Sequence, residues 1–198
     1  MSKFRDLINS ILGNEEENND QTMEIINEYY ESDDESEGYD IPNQDINMFK
    51  IPLNFVNKSN NPNPEYATEG SSGFDLRAFI DEPLTLQPNE FKVIPTGLYF
   101  KLNLGFEIQV RSRSGLSAKH GIAVLNSPGT VDSDYTGEVK VILINHGQEP
   151  FTINNGDRIA QAVICTTLNK YAINMTQVSD IEHTTDRASN GFGSTGIA

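Results

Sequence analysis

Cysteine is almost missing: Cys165 is the one thiol, so no intrachain disulfide can form. It lies in the run Ala162-Val163-Ile164-Cys165, where burial is the ordinary expectation, and it is read as a core residue. Long hydrophobic runs are missing too. The longest aliphatic stretch, Val141-Ile142-Leu143-Ile144, is far short of a membrane span, and the acid-rich N-terminus fits neither a secretory signal nor a transit peptide. The expectation is an intracellular, cytoplasmic protein without a membrane segment, nuclear if the source is eukaryotic or viral. Positive charge is scarce, at 14 Lys and Arg against 29 Asp and Glu, and no basic stripe with interleaved aromatics occurs. Direct nucleic-acid binding is therefore not expected.

Apolar residues make up 36% of the 198, which is low for a fully packed chain. The charge map shows where packing fails. Residues 1–47 hold 14 acidic side chains against Lys3 and Arg5, a net of −12, while the remainder holds 15 acidic against 12 basic, a net of −3. Stretches such as "NEEENND" and "ESDDESEGYD" offer too little apolar area to offset ordering entropy, so a disordered acidic N-terminal tail is predicted. Two islands interrupt it. Phe4, Leu7, Ile8, Ile11 and Leu12 fall on one stripe of a short helix that Gly13 would end, too short to be stable without a partner surface. The second, "MEIINEYY", places Met23, Ile26, Tyr29 and Tyr30 at a spacing similar to the peptide with which replication proteins dock on a sliding clamp. Met23 stands where that peptide usually has Gln, and a generic amphipathic turn is the competing reading. A protein partner for residues 1–47 is the hypothesis these islands raise.

From about Met48 the texture changes to short β-forming stretches separated by turn signals such as Asn61-Pro62-Asn63-Pro64, Gln87-Pro88-Asn89 and Asn154-Asn155-Gly156-Asp157. Strands are predicted at Phe49 to Val56, Phe74 to Phe79, Phe91 to Pro95, Leu98 to Leu102, Phe106 to Arg111, Gly137 to Asn145 and Arg158 to Ile164. A short helix is predicted at Ser114 to His120, ended by Gly121. The fold class is all-β, a sandwich or barrel over residues 48–178, followed by a C-terminal arm over 179–198.

Four polar, glycine-punctuated segments lie at the ends of these strands. In Gly73-Phe74-Asp75-Leu76, Asp75 interrupts an apolar strand, as a structural acid or as a partner of a hydrated cation. Arg113-Ser114-Gly115 opens the helix, where amide hydrogens, a hydroxyl and a guanidinium suit an anion. An ordinary Ser N-cap explains the same residues. In Asn126-Ser-Pro-Gly-Thr-Val-Asp132-Ser-Asp134-Tyr135, the two carboxylates on an extended segment point to one side and Tyr135 to the other, although a solvated turn is the plainer account. What raises it is Asn126, whose amide can read a donor and an acceptor. The fourth segment, "NGFGSTG" near the C-terminus, surrounds Phe192 with glycines and hydroxyls, five residues after Arg187.

With Gly156-Asp-Arg-Ile-Ala-Gln161 between the last two, these segments in this order resemble the five motifs of the trimeric dUTPases, from about Phe49 to the C-terminus. The resemblance implies a dUTPase-like β-barrel or jelly roll, a homotrimer whose sites borrow segments from all three chains, dUTP as substrate, and Mg²⁺ as the partner of its triphosphate. It implies that Asp132 is the general base that directs water at the α-phosphorus; a carboxylate, ionised at neutral pH, is ready for that role. Arg113, Ser114 and Gly115 would hold phosphate. Asn126 and the neighbouring backbone would read the uracil edge, Thr130, Val131 and Lys140 would be further substrate-binding residues, and Tyr135 would pack on the deoxyribose and exclude a 2′-hydroxyl. Phe192 would cover the uracil while Arg187, Gly193, Ser194 and Thr195 grip the terminal phosphate. Glycines let such an arm approach phosphate closely and move. Asp75 would contact the metal through water. Gln161 and Arg158 could touch phosphate or a neighbouring chain, or simply pair across strands.

Two rivals stand beside this reading. The dCTP deaminases share the fold but carry a catalytic Glu five residues after the third motif's glycine, where this chain has Ile142. A non-catalytic dUTPase-fold binding module is the other, and Asp132, Tyr135 and the terminal arm weigh against it.

Overall fold

The computed structural model describes residues 50–169, 172–181 and 185. The N-terminal islands and the predicted arm residues Arg187, Phe192, Gly193, Ser194 and Thr195 lie outside them. The chain divides into two compact units, Met1–Thr167 and Leu168–Ala198.

Among the described residues of the first unit, ten strands and one helix follow in order: β1 Asn54–Asn57, β2 Phe74–Arg77, β3 Leu84–Leu86, β4 Phe91–Lys101, β5 Phe106–Arg111, α1 Ser114–His120, β6 Ile122–Val124, β7 Gly129–Val131, β8 Glu138–Asn145, β9 Phe151–Ile153 and β10 Arg158–Thr166. Two four-stranded sheets form, ordered β1-β4-β8-β6 and β2-β10-β5-β7, with β3-β9 as a separate two-stranded ribbon. All pairings are antiparallel. This is the all-β, jelly-roll-like architecture the sequence predicts.

Period-two alternation builds the core. In β8, Val139, Val141, Leu143 and Asn145 are buried while Lys140 is exposed and Ile142 half-buried. In β2, Phe74 and Leu76 turn inward, so Asp75 and Arg77 take the outer face and the strand tolerates its charges. Leu76, Ile94, Ile108 and Val141 are fully buried, each contributing about 1.5–3 kcal/mol of transfer free energy. Asn145 is buried as well, but it is satisfied: its Nδ2 donates to the carbonyls of Leu86 and Glu149, and its Oδ1 accepts from the Gly147 amide. That clamp ties the β3-β9 ribbon's neighbourhood to the end of β8.

Several expectations are corrected. The stretches Phe91 to Pro95 and Leu98 to Leu102 are one strand, β4, whose register against β8 shifts between Pro95 and Leu98. The first strand is shorter than predicted and begins at Asn54. Cys165 is half-buried rather than core: it lies opposite Glu107 on the outer face of its sheet, with Sγ 3.7 Å from Arg111 Nη2. At the turn before β4, the Gln87 amide donates to Glu90 and Lys92 approaches it at 3.2 Å, and together they hold the Glu90 carboxyl below its usual range. The second unit's described residues expose Met175, Val178 and Ile181. No helix among the described residues is long and apolar enough to cross a membrane.

Candidate active site

The segment between β7 and β8 folds as a turn. Tyr135 N donates to Asp132 O at 3.1 Å, so residues 132–135 form a turn and not the extended run the sequence predicts, and Asp132 and Asp134 do not share a strand face. The turn instead brings Asp132 over a pocket of about 270 Å³, whose wall also includes Thr130, Val131, Tyr135 and Lys140. Five predicted residues thus meet in one cavity. The cross-strand pair Val93 and Ile142, contributed by β4 and β8, also lines it. Val93 carries no sequence signal that would have marked it.

Tyr135 is held rather than free. Its Oη donates to Glu138 O at 3.0 Å, and the ring lies so close to Gly137 that a Cβ there would meet Oη at 2.5 Å. The residue is 47% exposed, which leaves it available to a planar or apolar group. Asn126 is exposed just after β6, with its Nδ2 3.2 Å from where a Cβ on Gly129 would stand.

A second cluster forms at the other end of the β5-β7 ladder. The carboxylate of Asp75 meets Arg113 Nε at 2.9 Å through Oδ1 and Arg158 Nη1 at 3.1 Å through Oδ2. Arg113 Nη1 also donates to Arg158 O at 3.1 Å. Gln161 faces Asp75 across β2 and β10, and its Nε2 donates to Ser112 O at 3.0 Å. Ser112 is a fixing point beside them: its hydroxyl accepts from Val124 N at 2.8 Å and ties the entry of α1 to β6. Arg113, not Ser114, is the N-cap of α1, and its side chain makes no capping bond. Ser114 and Gly115 are exposed on the first turn with no acidic residue there, so the Ser N-cap explanation does not hold.

The two clusters do not coincide within one copy. Val110 pairs with Gly129 and Ile108 with Val131, so Asp132 leaves the ladder level with Glu107, towards the Phe106 end of β5, and Arg113 lies past its Arg111 end. At about 3.3 Å per residue, their backbones are on the order of 15–20 Å apart. Among the described residues no group of three or more His, Cys, Asp or Glu could cage a metal ion.

The family model for dUTPase matches residues 59–196. The deoxyuridine 5'-triphosphate nucleotidohydrolase of Treponema denticola is 56% identical over 135 residues, covering 68% of this chain and 91% of the relative. That of Finegoldia magna is 50% identical over 147 residues, covering 74% and 99%. Among solved structures, a mutant Staphylococcus bacteriophage 80alpha dUTPase with dUpNHpp aligns with a TM-score of 0.66 at 23% identity, covering 75% of this chain and all of that one. A mutant dUTPase from phage phi11 of S. aureus, whose structure details the coordination of a structural Mg(II) ion, aligns at 0.59 and 23%, covering 67% and 99%.

Proposed function

From the premise that this chain belongs to the dUTPase family, we propose that Asp132 is the base of its reaction and that the pocket beneath that residue receives the deoxyuridine. The protein is a dUTP diphosphatase: it hydrolyses dUTP to dUMP and pyrophosphate, which keeps uracil out of DNA and supplies dUMP for dTMP synthesis. The observation that carries the site assignment is the single cavity shared by Thr130, Val131, Asp132, Tyr135 and Lys140. An exposed carboxylate at its rim can accept a proton from water as the oxygen attacks the α-phosphorus. Tyr135, pinned at its hydroxyl, presents its ring to the sugar, where an added 2′-hydroxyl would collide. Asn126 and the backbone beside it read the uracil edge.

Arg113 supplies a guanidinium to the phosphates, with Ser114 and Gly115 at the exposed first turn of α1 beside it. Asp75 sets that guanidinium in place, since each of its oxygens is taken by an arginine. Gln161 acts one step further back, holding the Ser112 carbonyl. Arg187, Phe192, Gly193, Ser194 and Thr195 close over the bound nucleotide.

Mg²⁺ is the metal cofactor. The described residues fit an ion that arrives on the nucleotide, because Mg²⁺ keeps most of its waters and needs few protein ligands, and no carboxylate cage exists here. When bound with the triphosphate it would offset charge that an acidic chain cannot, and Asp75, with both oxygens on arginines, is placed to orient Arg113 rather than to meet the metal. The spread between Arg113 and Asp132 along the ladder supports a homotrimer in which one copy's phosphate cluster serves another copy's base.

Ile142, which lines the pocket and stands where the deaminases have their Glu, weighs against deamination. The test is product formation from dUTP, UTP, dCTP and dTTP. Pyrophosphate and dUMP from dUTP alone are expected; ammonia from dCTP, or no turnover of any of the four, would overturn the reading.

A further inference from the structure

Glu138 connects the pocket to an irregularity in the neighbouring strand. Where β4 slips against β8, Gly97 takes φ +70°. No side chain fits there, since a Cβ would meet both Cβ and N of Ser59 at 2.8 Å. The Gly97 carbonyl accepts from Lys58 N, and its amide donates to Glu138 Oε1 at 2.9 Å. A backbone group that the ladder leaves unpaired thus fixes a carboxylate on the pocket wall. The other oxygen, Oε2, lies 3.5 Å from Lys140 Nζ. Glu138 and Lys140 are two apart on β8, so they share its outer face, and both line the cavity with Asp132.

The charges on that wall oppose the ligand. Asp132 and Glu138 are both carboxylates, and the nucleotide brings a triphosphate. Glu138 cannot swing away without abandoning the Gly97 amide. Its side chain is 19% exposed, against 51% for Lys140. Resting on the reading of this cavity as the dUTP site, we propose that Lys140 acts through Glu138: its ammonium cancels the carboxylate that the β4 bulge requires, so that Asp132 is the one uncompensated anion among the described residues lining the pocket. Lys140 is then a positioning and charge-balancing residue rather than a grip on phosphate. It makes the pocket tolerant of a polyanion without weakening the base.

Steady-state hydrolysis of dUTP by the full chain, at low and at about 0.5 M salt, separates these roles in four variants. Lys140→Met is expected to raise KM about five- to tenfold at low salt, with kcat within about twofold and the rise shrinking as salt is added. Lys140→Arg keeps the charge and should stay close to the parent. Glu138→Gln keeps an acceptor for Gly97 while removing the charge, and should lower KM. The double variant Glu138→Gln/Lys140→Met should return KM to within about twofold of the parent, because the charge to be cancelled is gone. If the double variant keeps the high KM of Lys140→Met, the ammonium grips the nucleotide directly and the proposal fails. It fails equally if Lys140→Met leaves KM unchanged at low salt. A parent chain inert towards dUTP would instead sink the functional reading itself.

Discussion

Asp75 grips Arg113 with one carboxylate oxygen, at 2.9 Å, and Arg158 with the other, at 3.1 Å. An acid so engaged has little left for a cation, and two guanidinium groups beside it repel one. Asp75→Asn should therefore loosen Arg113 and raise KM for dUTP about three- to tenfold, since the pair is partly solvated and its strength is screened. The Mg²⁺ concentration giving half-maximal rate should not move. Titrating Mg²⁺ against the variant checks this: a selective loss of metal affinity with KM unchanged would restore Asp75 to a metal-contacting role.

Asp132→Asn keeps the shape of the turn and the Tyr135 N–H to Asp132 O bond, which is a backbone bond. What it removes is the proton acceptor. Turnover should fall by roughly 10²–10⁴-fold, the usual contribution of a positioned base, while nucleotide affinity measured by calorimetry with a non-hydrolysable analogue stays within a few-fold. Near-normal hydrolysis by this variant would dismiss Asp132 as the base.

The sequence made the long elements plain and concealed the short ones, for a physical reason. β5, β8 and β10 have six to nine residues, enough to display an alternation; β3, β6, β7 and β9 have three each, too few to show any period. Thr130 and Val131 were therefore legible as motif positions but not as a strand. The break at Pro95 to Leu98 reads as a loop because Pro and Gly punctuate it, whereas pairing with β8 on both sides carries the strand through. The motifs named most of the cavity's residues. They could not show that Asp75 and Arg158, 83 positions apart, form one ion pair. Nor could they show that Glu138 answers an amide 41 positions away. Such partners are set by register, which local composition does not encode.

Gly137 has a use that follows from Tyr135 alone. Alanine there would place a Cβ 2.5 Å from the tyrosine hydroxyl, forcing the ring off its bond to Glu138 O while leaving the core intact. Gly137→Ala should fold normally and lose discrimination between dUTP and UTP by at least about tenfold, because the ring no longer occupies the space a 2′-hydroxyl would need. The ratio of kcat/KM for the two nucleotides is the measurement, and an unchanged ratio would remove Tyr135 from sugar selection.

Removing residues 187–198 takes nothing from the first compact unit, which ends at Thr167. Circular dichroism and thermal melting should be unaltered. The rate should drop at least about 100-fold if Arg187, Phe192 and the residues after it supply transition-state contacts of ordinary strength. A truncated chain that retained the full rate would show the arm to be dispensable.

Arg113 and Asp132 leave the β5-β7 ladder at opposite ends, and if their shared site is pooled from different copies, two inactive chains can repair one another. In a trimer mixed from Arg113→Ala and Asp132→Asn chains, a site that takes its arginine from an Asp132→Asn copy and its aspartate from an Arg113→Ala copy has both native groups. Random assembly puts about a quarter of the sites in that state. Unfolding and refolding the two variants together should recover about that share of parental activity, and refolding them apart should recover none. Absence of recovery from chains shown by light scattering to have co-assembled would mean that each copy completes its own site. The β5-β7 register would then have to bend enough to bring Arg113 back to Asp132 within a single chain.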